Sequence, residues 1–232
     1  AGRTFGWRTV YLIQGVLTVV VALMIAMLLP RRATASSQLS YRRLLASLWP
    51  LFASLPRLRL ACMLGALCFG AFSAFWTAVV FHLQAPPFGY SLQVAGLFLL
   101  AGGISSPIFG PLVGRICDRI GADRLNVYGL AGAALALAVA WLGGDIFIVL
   151  LVAANMLSVA LQANQLSNQA RIFALGTDTR SRLNTIYMST NFCGGAVGGL
   201  AGLLAWEQAG WPGVIALAVG LIAMAGAVLG LT

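Results

Sequence analysis

The sequence predicts an all-α integral membrane protein with seven transmembrane helices. Of its 232 residues, 60% are hydrophobic and 8% are charged, whereas about 25% of the residues in a soluble domain are usually charged. A bilayer core of about 30 Å is crossed by a helix of about 20 residues, and seven apolar runs are long enough to span it. These runs are Val10–Leu29, Leu58–Leu83, Leu92–Val113, Leu125–Leu142, Ile146–Asn168, Leu183–Ala205 and Pro212–Leu231.

The positions of the arginines predict the orientation in the membrane. All fourteen basic residues are arginine, and twelve of them lie in the connections 30–59, 115–124 and 171–182. The alternate loops carry none, and arginine-rich loops usually stay in the cytoplasm. We therefore expect the N-terminal end of this chain outside and the C-terminal end inside. Because the net charge of +9 lies in short inter-helix segments, the expected partner is the lipid bilayer and not a nucleic acid.

An internal repeat predicts the domain organisation. The chain opens on AGRTFGWR, already at the edge of a span, which predicts a sequence truncated at its N-terminus. Gly6-Trp7 precedes the first span and Gly210-Trp211 precedes the last, 204 residues later. A duplicated six-helix bundle leaves a repeat at such a distance. The expected parts are the last helix of a first half (1–29), a cytoplasmic linker (30–57) and a second six-helix bundle (58–232).

The linker is expected to contain an amphipathic helix. Its second part, YRRLLASLWPLFASLP, places four apolar residues near one helix face: Leu44, Leu45, Leu48 and Phe52. Such a helix lies on a membrane surface, and we expect it to be broken near Pro50. A docking site for a partner protein is the alternative interpretation.

The fifth span carries a polar face. Its residues follow one another at steps of 3, 4, 3 and 4, within an arc of roughly 80°: Asn155, Ser158, Gln162, Gln165 and Gln169. Polar side chains inside a membrane are costly unless they meet a partner helix or water. Hydrogen bonding between helices and a polar solute pathway both remain open. Asn164 and Asn168 lie on the opposite side near the cytoplasmic end, where we expect water to solvate them.

Two further spans carry polar candidates for the pathway. Ser73, Trp76 and Thr77 share a face of the second span. In the sixth span, polar residues precede glycines at four-residue spacing near one face: Asn184, Tyr187, Asn191, Gly194, Gly198 and Gly202. Glycines at that spacing predict a close helix contact. The single histidine, His82, is expected to be a solvated residue at the outer boundary.

Several kinds of chemistry have no support in the sequence. No carboxylate lies inside a predicted span and the chain has no lysine, so a proton carrier is expected outside this chain unless His82 serves. No serine or cysteine has a second histidine or an acid inside the membrane to activate it, which argues against an enzyme. The four cysteines show no metal spacing, and no phosphate-binding loop is present. We expect neither a metal nor a cofactor.

A charged segment after the third span carries a family resemblance. Small residues recur at every fourth position before it: Gly102, Ser106, Gly110 and Gly114. The pattern Gly114-x-x-x-Asp118-Arg119-x-Gly121 resembles the signature loop of the major facilitator superfamily of secondary transporters. The two basic residues that usually follow the second glycine are replaced here by Ala122 and Asp123. We expect the apolar run to end before this segment, which would form a short charged turn leading to Leu125.

The resemblance implies a fold and a mechanism. The seven spans would be helices 6–12 of a twelve-helix transporter, similar to bacterial efflux permeases of the drug-antiporter kind. Two halves would rock about a midplane site, and the cavity would be lined by the helices Leu58–Leu83 and Ile146–Asn168. The expected substrate is a small organic or drug-like solute exported across the bacterial inner membrane in exchange for protons.

Within this family, the aspartate of the signature loop caps a helix of the opposite half. The residues expected to gate the conformational change are Gly110, Gly114, Asp118, Arg119 and Gly121. The partner of Asp118 would lie in the N-terminal helices that precede this chain. A seven-helix receptor or sensor shares the predicted topology and is the alternative function. An intramembrane enzyme would need paired titratable groups that the spans lack.

Overall fold

In the computed structural model, residues 2–28, 41–177 and 179–230 are described, and these residues are helical apart from short connections. The helices are α1 Gly2–Leu28, α2 Tyr41–Ala46, α3 Leu48–Ser54, α4 Pro56–Gln84, α5 Leu92–Gly103, α6 Ser105–Ile120, α7 Ala122–Gly143, α8 Phe147–Phe173 and α9 Arg180–Gly230. The chain forms two compact units, Ala1–Tyr41 and Arg42–Thr232. The first part of the predicted linker, 30–40, lies outside the described residues.

The first unit contains α1, which is apolar on every side. Its window Tyr11–Leu28 has a mean hydropathy of 2.4 and no buried residue. Because a helix that is hydrophobic all round needs an apolar environment, α1 matches the first predicted span. Gly6 lies inside this helix and does not precede it.

The described helices agree with the predicted membrane spans. Six of them are long and apolar enough to cross a membrane, taking α5 and α6 together. The longest, α9, contains 51 residues and is interrupted at Gly210, where φ is 62° and ψ is −151°. Its two segments, 180–209 and 211–230, are the sixth and seventh spans. The end predicted for the sixth span, Ala205, is wrong, because the helix continues to the residue before Gly210.

The charged segment that carries the family resemblance is helical and does not form a turn. The helix α6 continues to Ile120, so Asp118 and Arg119 lie exposed on its last turns. The single residue Gly121, with φ 85° and ψ 159°, joins α6 to α7. Since a side chain disfavours positive φ, this sharp connection explains a glycine here. The prediction that the helix ends near Val113 is wrong.

Helices α4 and α9 are in close contact along the glycines of α9. A Cβ atom placed on Gly202 would lie 2.6 Å from the Cα atom of Ala74, and one on Gly194 would lie 2.5 Å from the Cα atom of Ala66. Gly198 faces the backbone of Gly70 in the same way. The glycine spacing therefore predicted this contact correctly.

Polar contacts gather the arginine-rich connections at one end of the second unit. Arg171 pairs with Asp123 at 2.7 Å, and the guanidinium of Arg182 donates to the hydroxyl of Ser47 at 3.2 Å. The opposite end holds the arginine-free turn between α7 and α8. The bundle thus has one basic end and one end without arginine, where Asp145 and Glu207 lie.

The amphipathic segment is broken three residues earlier than predicted. Helices α2 and α3 meet at Ser47, whose hydroxyl donates to the carbonyl of Leu44 at 2.7 Å. Pro50 lies in the first turn of α3, where its missing N–H is tolerated. Phe52 packs against a buried cluster that includes Leu58. The segment therefore rests on the bundle.

Candidate functional site

A cavity of about 200 Å³ lies among α4, α6, α8 and the first segment of α9. Its lining residues are all uncharged: Gly65, Cys68, Phe69, Phe72, Ser106, Ser158, Leu161, Gln162, Asn164, Gln165, Asn168, Tyr187 and Asn191. We call this space the central cavity. Helix α8, which carries the polar face noted in the sequence, supplies the largest share of these lining residues.

Two glycines allow the long polar side chains to reach the central cavity. A Cβ atom on Gly65 would lie 2.7 Å from Cε2 of Tyr187 and 3.0 Å from Oδ1 of Asn191. A Cβ atom on Gly110 would lie 2.8 Å from Nε2 of Gln162. Gly110 therefore makes room for a cavity side chain, a role that the sequence pattern did not reveal. Gly110 is the first of the residues expected to gate the conformational change, and we call the stretch 110–121 the signature segment.

Two buried amide oxygens of the central cavity have no hydrogen-bond partner among the described residues. They are Oε1 of Gln162 and Oδ1 of Asn164. A buried polar atom left without a partner costs about 1–3 kcal/mol. By contrast, the hydroxyl of Ser158 donates to the carbonyl of Ala154 at 2.8 Å and lies 3.3 Å from that of Gly102. Asn164 is fully buried, whereas Gln162 is only partly buried, so Gln162 offers an acceptor that a bound molecule could satisfy.

The structure brings four of the predicted pathway residues together at the central cavity and places the others elsewhere. Ser158, Gln162, Gln165 and Asn191 line it, whereas Asn155 does not. The Asn155 amide donates to the carbonyl of its own helix at Leu151, 2.9 Å away. The polar face of α8 is therefore divided between the cavity and contacts within or between helices.

The predicted pathway residues of α4 face its neighbouring helices. A Cβ atom on Gly195 would lie 3.0 Å from Oγ of Ser73, and one on Gly199 would lie 3.4 Å from Oγ1 of Thr77. Trp76 lies against Gly102 of α5. None of these three α4 residues lines the central cavity, and neither does the half-buried Asn184 of α9.

A buried polar network at the basic end was missed. The Arg171 guanidinium donates to Asp123 at 2.7 Å and to Oδ1 of Asn168 at 2.8 Å, and that oxygen also accepts from Nδ2 of Asn126 at 3.1 Å. Asn164 and Asn168 are fully buried, so the prediction that water solvates them is wrong. Arg171 lies inside α8 and not in a loop. The spacing of Asn164, Asn168 and Arg171, at steps of 4 and 3, was the available signal.

His82 is also buried, which overturns its interpretation as a solvated boundary residue. Only 4% of the residue is exposed, and its ring stacks on that of Trp211 with centroids 4.4 Å apart. Nε2 lies 3.0 Å from the carbonyl oxygen of Gly144, which can only accept, so this nitrogen donates. The carboxylate of Asp145 lies 3.9 Å away. His82 therefore ties α4 to the turn between α7 and α8.

Comparisons with known proteins agree with the resemblance in the sequence. The family model described as Major Facilitator Superfamily matches residues 2–173 and 88–232. The chain is 35% identical over 209 residues to the "Uncharacterized transporter YgaY" of Escherichia coli O157:H7, covering 90% of this chain and 52% of that protein. It is 34% identical over 231 residues to the "Probable transporter SCO4007" of Streptomyces coelicolor, covering 94% of this chain and 50% of that protein.

The chain spans about half the length of the curated relatives it matches. No solved structure gives a significant match. The family match decides between the transporter and receptor interpretations in favour of the transporter. The chain belongs to the major facilitator superfamily, a class of membrane transporters and not of enzymes.

Proposed function

We propose that this chain forms helices 6–12 of a secondary active transporter that exports a small organic or drug-like solute in exchange for protons. Family membership and the bacterial relatives support this assignment. The gathering of the arginines at one end of the bundle supports an inner-membrane orientation with the C-terminal end in the cytoplasm. Solute would reach a midplane site alternately from each side as the two halves rock.

The observation that carries the proposal is the central cavity. Its polar side chains are neutral amides and hydroxyls, and the partnerless oxygen of the partly buried Gln162 would accept a hydrogen bond from a bound solute. Phe69 and Phe72, with near-parallel rings 5.7 Å apart, add an apolar surface. A volume of about 200 Å³ is below the roughly 300–1,000 Å³ of most ligand pockets. The first half of the transporter would therefore complete the site.

The signature segment would control which side is open. Asp118 is exposed at the end of α6, where it can pair with a helix N-terminus of the first half. Gly121 gives α7 its sharp start, and a Cβ atom placed on Gly114 would meet no neighbouring atom within 4 Å. The open face of α6 at Gly114 could contact the first half in one conformational state of the transporter and lose that contact in the other.

The proton carrier would lie in the first half. No acidic or basic side chain lines the central cavity, and His82 is held by Trp211 and Gly144 away from it. A carrier must be exposed to the pathway in at least one state. Helices outside this chain are therefore the expected source.

Two measurements on the full-length protein test the site. In a background without the native cysteines, cysteine at Ser158, Gln162 or Gln165 should react with a small water-soluble thiol reagent. Cysteine at the core positions Ala153 and Leu157, both buried to 1% exposure, should not. Lack of reaction at all three cavity positions would remove α8 from the pathway.

The second measurement uses a transported solute found by screening cells for resistance to a panel of growth inhibitors. Gln162→Ala should weaken solute binding about 2- to 12-fold, the loss of one neutral hydrogen bond. Asn155→Ala is the matched control, because this amide bonds to its own helix. Equal effects of the two substitutions would exclude a direct contact between Gln162 and solute.

A further inference from the structure

A second cavity, of about 610 Å³, opens at the basic end of the bundle. It lies where α4 and α7 begin and where α8 and α9 end. Helix α7 and the second segment of α9 contribute nothing to the central cavity. The second cavity, which we call the basic groove, is therefore a separate site that the transport cycle described above does not use.

The basic groove has more positive charge than its own residues neutralise. Three arginines and one aspartate line it: Arg57, Arg124, Arg171 and Asp123. Asp123 is engaged by the buried Arg171. Arg57 and Arg124 are exposed and make no side-chain hydrogen bond or ion pair with any described residue. Two guanidinium groups thus remain available for an anion.

The starts of α4 and α7 add to this positive character. The first N–H groups of a helix are unpaired and give its N-terminus a partial positive charge. At the start of α4, Pro56 has no N–H, and the N–H groups of Leu58 and Arg59 donate to the carbonyl of Leu55. At the start of α7, by contrast, no side-chain cap occupies the N–H groups, so α7 is the helix that can present them to a ligand. Arginine forks and free N–H groups together are suited to the oxygens of a phosphate group.

The remaining wall of the basic groove is apolar. Leu60, Val127 and Leu229 line it together with three alanines, and Val127 is 53% exposed. A site that bound only a free anion would not need an apolar wall. The residues of this wall belong to helices that span the membrane, so an acyl chain can lie along them.

We propose that the basic groove binds an anionic phospholipid of the inner leaflet. The phosphate would bind between Arg57 and Arg124, and one acyl chain would follow Leu60 and Val127. Basic pockets between transmembrane helices on the cytoplasmic side recognise such headgroups. The bound lipid would fix the starts of α4 and α7, the second of which directly follows the signature segment.

Native mass spectrometry of the full-length protein tests the proposal. The protein is purified in neutral detergent and titrated with phosphatidylglycerol, with phosphatidylcholine of the same chains in parallel. Tight binding of phosphatidylglycerol over phosphatidylcholine is expected. The double substitution Arg57→Gln/Arg124→Gln should weaken phosphatidylglycerol binding about 30-fold, from about 1 kcal/mol for each arginine near an anionic surface.

The matched control is Arg59→Gln/Arg115→Gln, which removes the same charge from exposed arginines outside the basic groove. It should change binding less than threefold. Gel filtration checks that each variant remains folded. Equal losses in the two double variants would overturn the proposal, because they would indicate a general charge effect. Displacement of the lipid by millimolar inorganic phosphate would also overturn it, since the site would then recognise a free anion.

Discussion

The contact between α4 and α9 gives the sharpest test of the fold, because the two backbones are so close that a single added methyl group should destabilise the protein. Gly202 of α9 lies against Ala74 of α4. The substitution Gly202→Ala places a Cβ atom 2.6 Å from the Cα atom of Ala74 and 2.9 Å from its carbonyl oxygen. Both neighbours are backbone atoms, so no side chain can rotate away.

The expected cost follows from that distance. Ordinary contact begins near 3.4 Å, so the two helices must separate by about 0.8 Å at this point, from 2.6 to 3.4 Å. Overpacking of this kind costs typically about 1–3 kcal/mol. Alanine also favours a helix over glycine by about 1 kcal/mol, which partly conceals the cost in a single variant.

A control on the same helix removes that ambiguity. A Cβ atom on Gly199 would meet Oγ1 of Thr77 at 3.4 Å, an ordinary contact. Gly199→Ala therefore gains the same helix propensity without the clash. The difference between the two variants isolates the overpacking cost of about 1–3 kcal/mol.

The assay is the melting temperature of the full-length protein in detergent, followed by the loss of its monodisperse gel-filtration peak. For a unit of this size, 1 kcal/mol shifts the melting temperature by about 2–4 °C. Gly202→Ala should therefore melt about 2–12 °C below Gly199→Ala. If Gly202→Ala melts at or above the temperature of Gly199→Ala, the close packing of α4 on α9 is refuted.

Two further predictions concern orientation and gating. With the native cysteines removed, a single cysteine at the exposed position Asp145 should be labelled by an impermeant thiol reagent outside intact cells. A single cysteine at the exposed position Arg115 should not be labelled. The reverse pattern would invert the proposed topology. In the full-length transporter, Asp118→Asn should slow transport while leaving membrane insertion unchanged. The reason is that a charge at a helix end stabilises one of the two conformational states by about 0.3–2 kcal/mol. Transport at the normal rate would leave Asp118 without a gating role.

The sequence was sufficient for the helices because each predicted feature depended on local spacing. Apolar runs set the spans, and glycines at four-residue spacing set the α4–α9 contact through Gly194, Gly198 and Gly202. Helix ends were less predictable. Charged residues normally lie outside the membrane core, and this predicts that the third span ends near Val113. The helix itself can continue beyond the hydrocarbon region, and α6 ends at Ile120.

The polar face of α8 shows why half of a site can be predicted and the other half missed. Five polar residues on one face of the helix indicate a pathway. On the other face, the nearness of a helix end predicts that water solvates Asn164 and Asn168, and Arg171 is expected in the connection that follows. In the structure the second face is buried, and Asp123 and Asn126 of α7 contact it. On the first face, Gln162 and Gln165 are only partly buried and line the central cavity. Spacing identifies which residues share a face, but only the neighbouring helix decides what that face meets.

The repeated Gly-Trp pair gives a second example, at the arginine-free end of the bundle. As a sequence pattern it indicated a duplication, and it gave no reason for a tryptophan. The structure supplies one: the positive φ of Gly210 interrupts α9, and Trp211 then donates to the carbonyl of Ala140 at 3.2 Å and stacks on His82. Residues 82, 140 and 211 are too far apart in the chain for any periodic pattern to connect them. His82, Ala140 and Trp211 meet at a buried junction of α4, α7 and α9. The positive φ of Gly210 allows Trp211 to reach this junction.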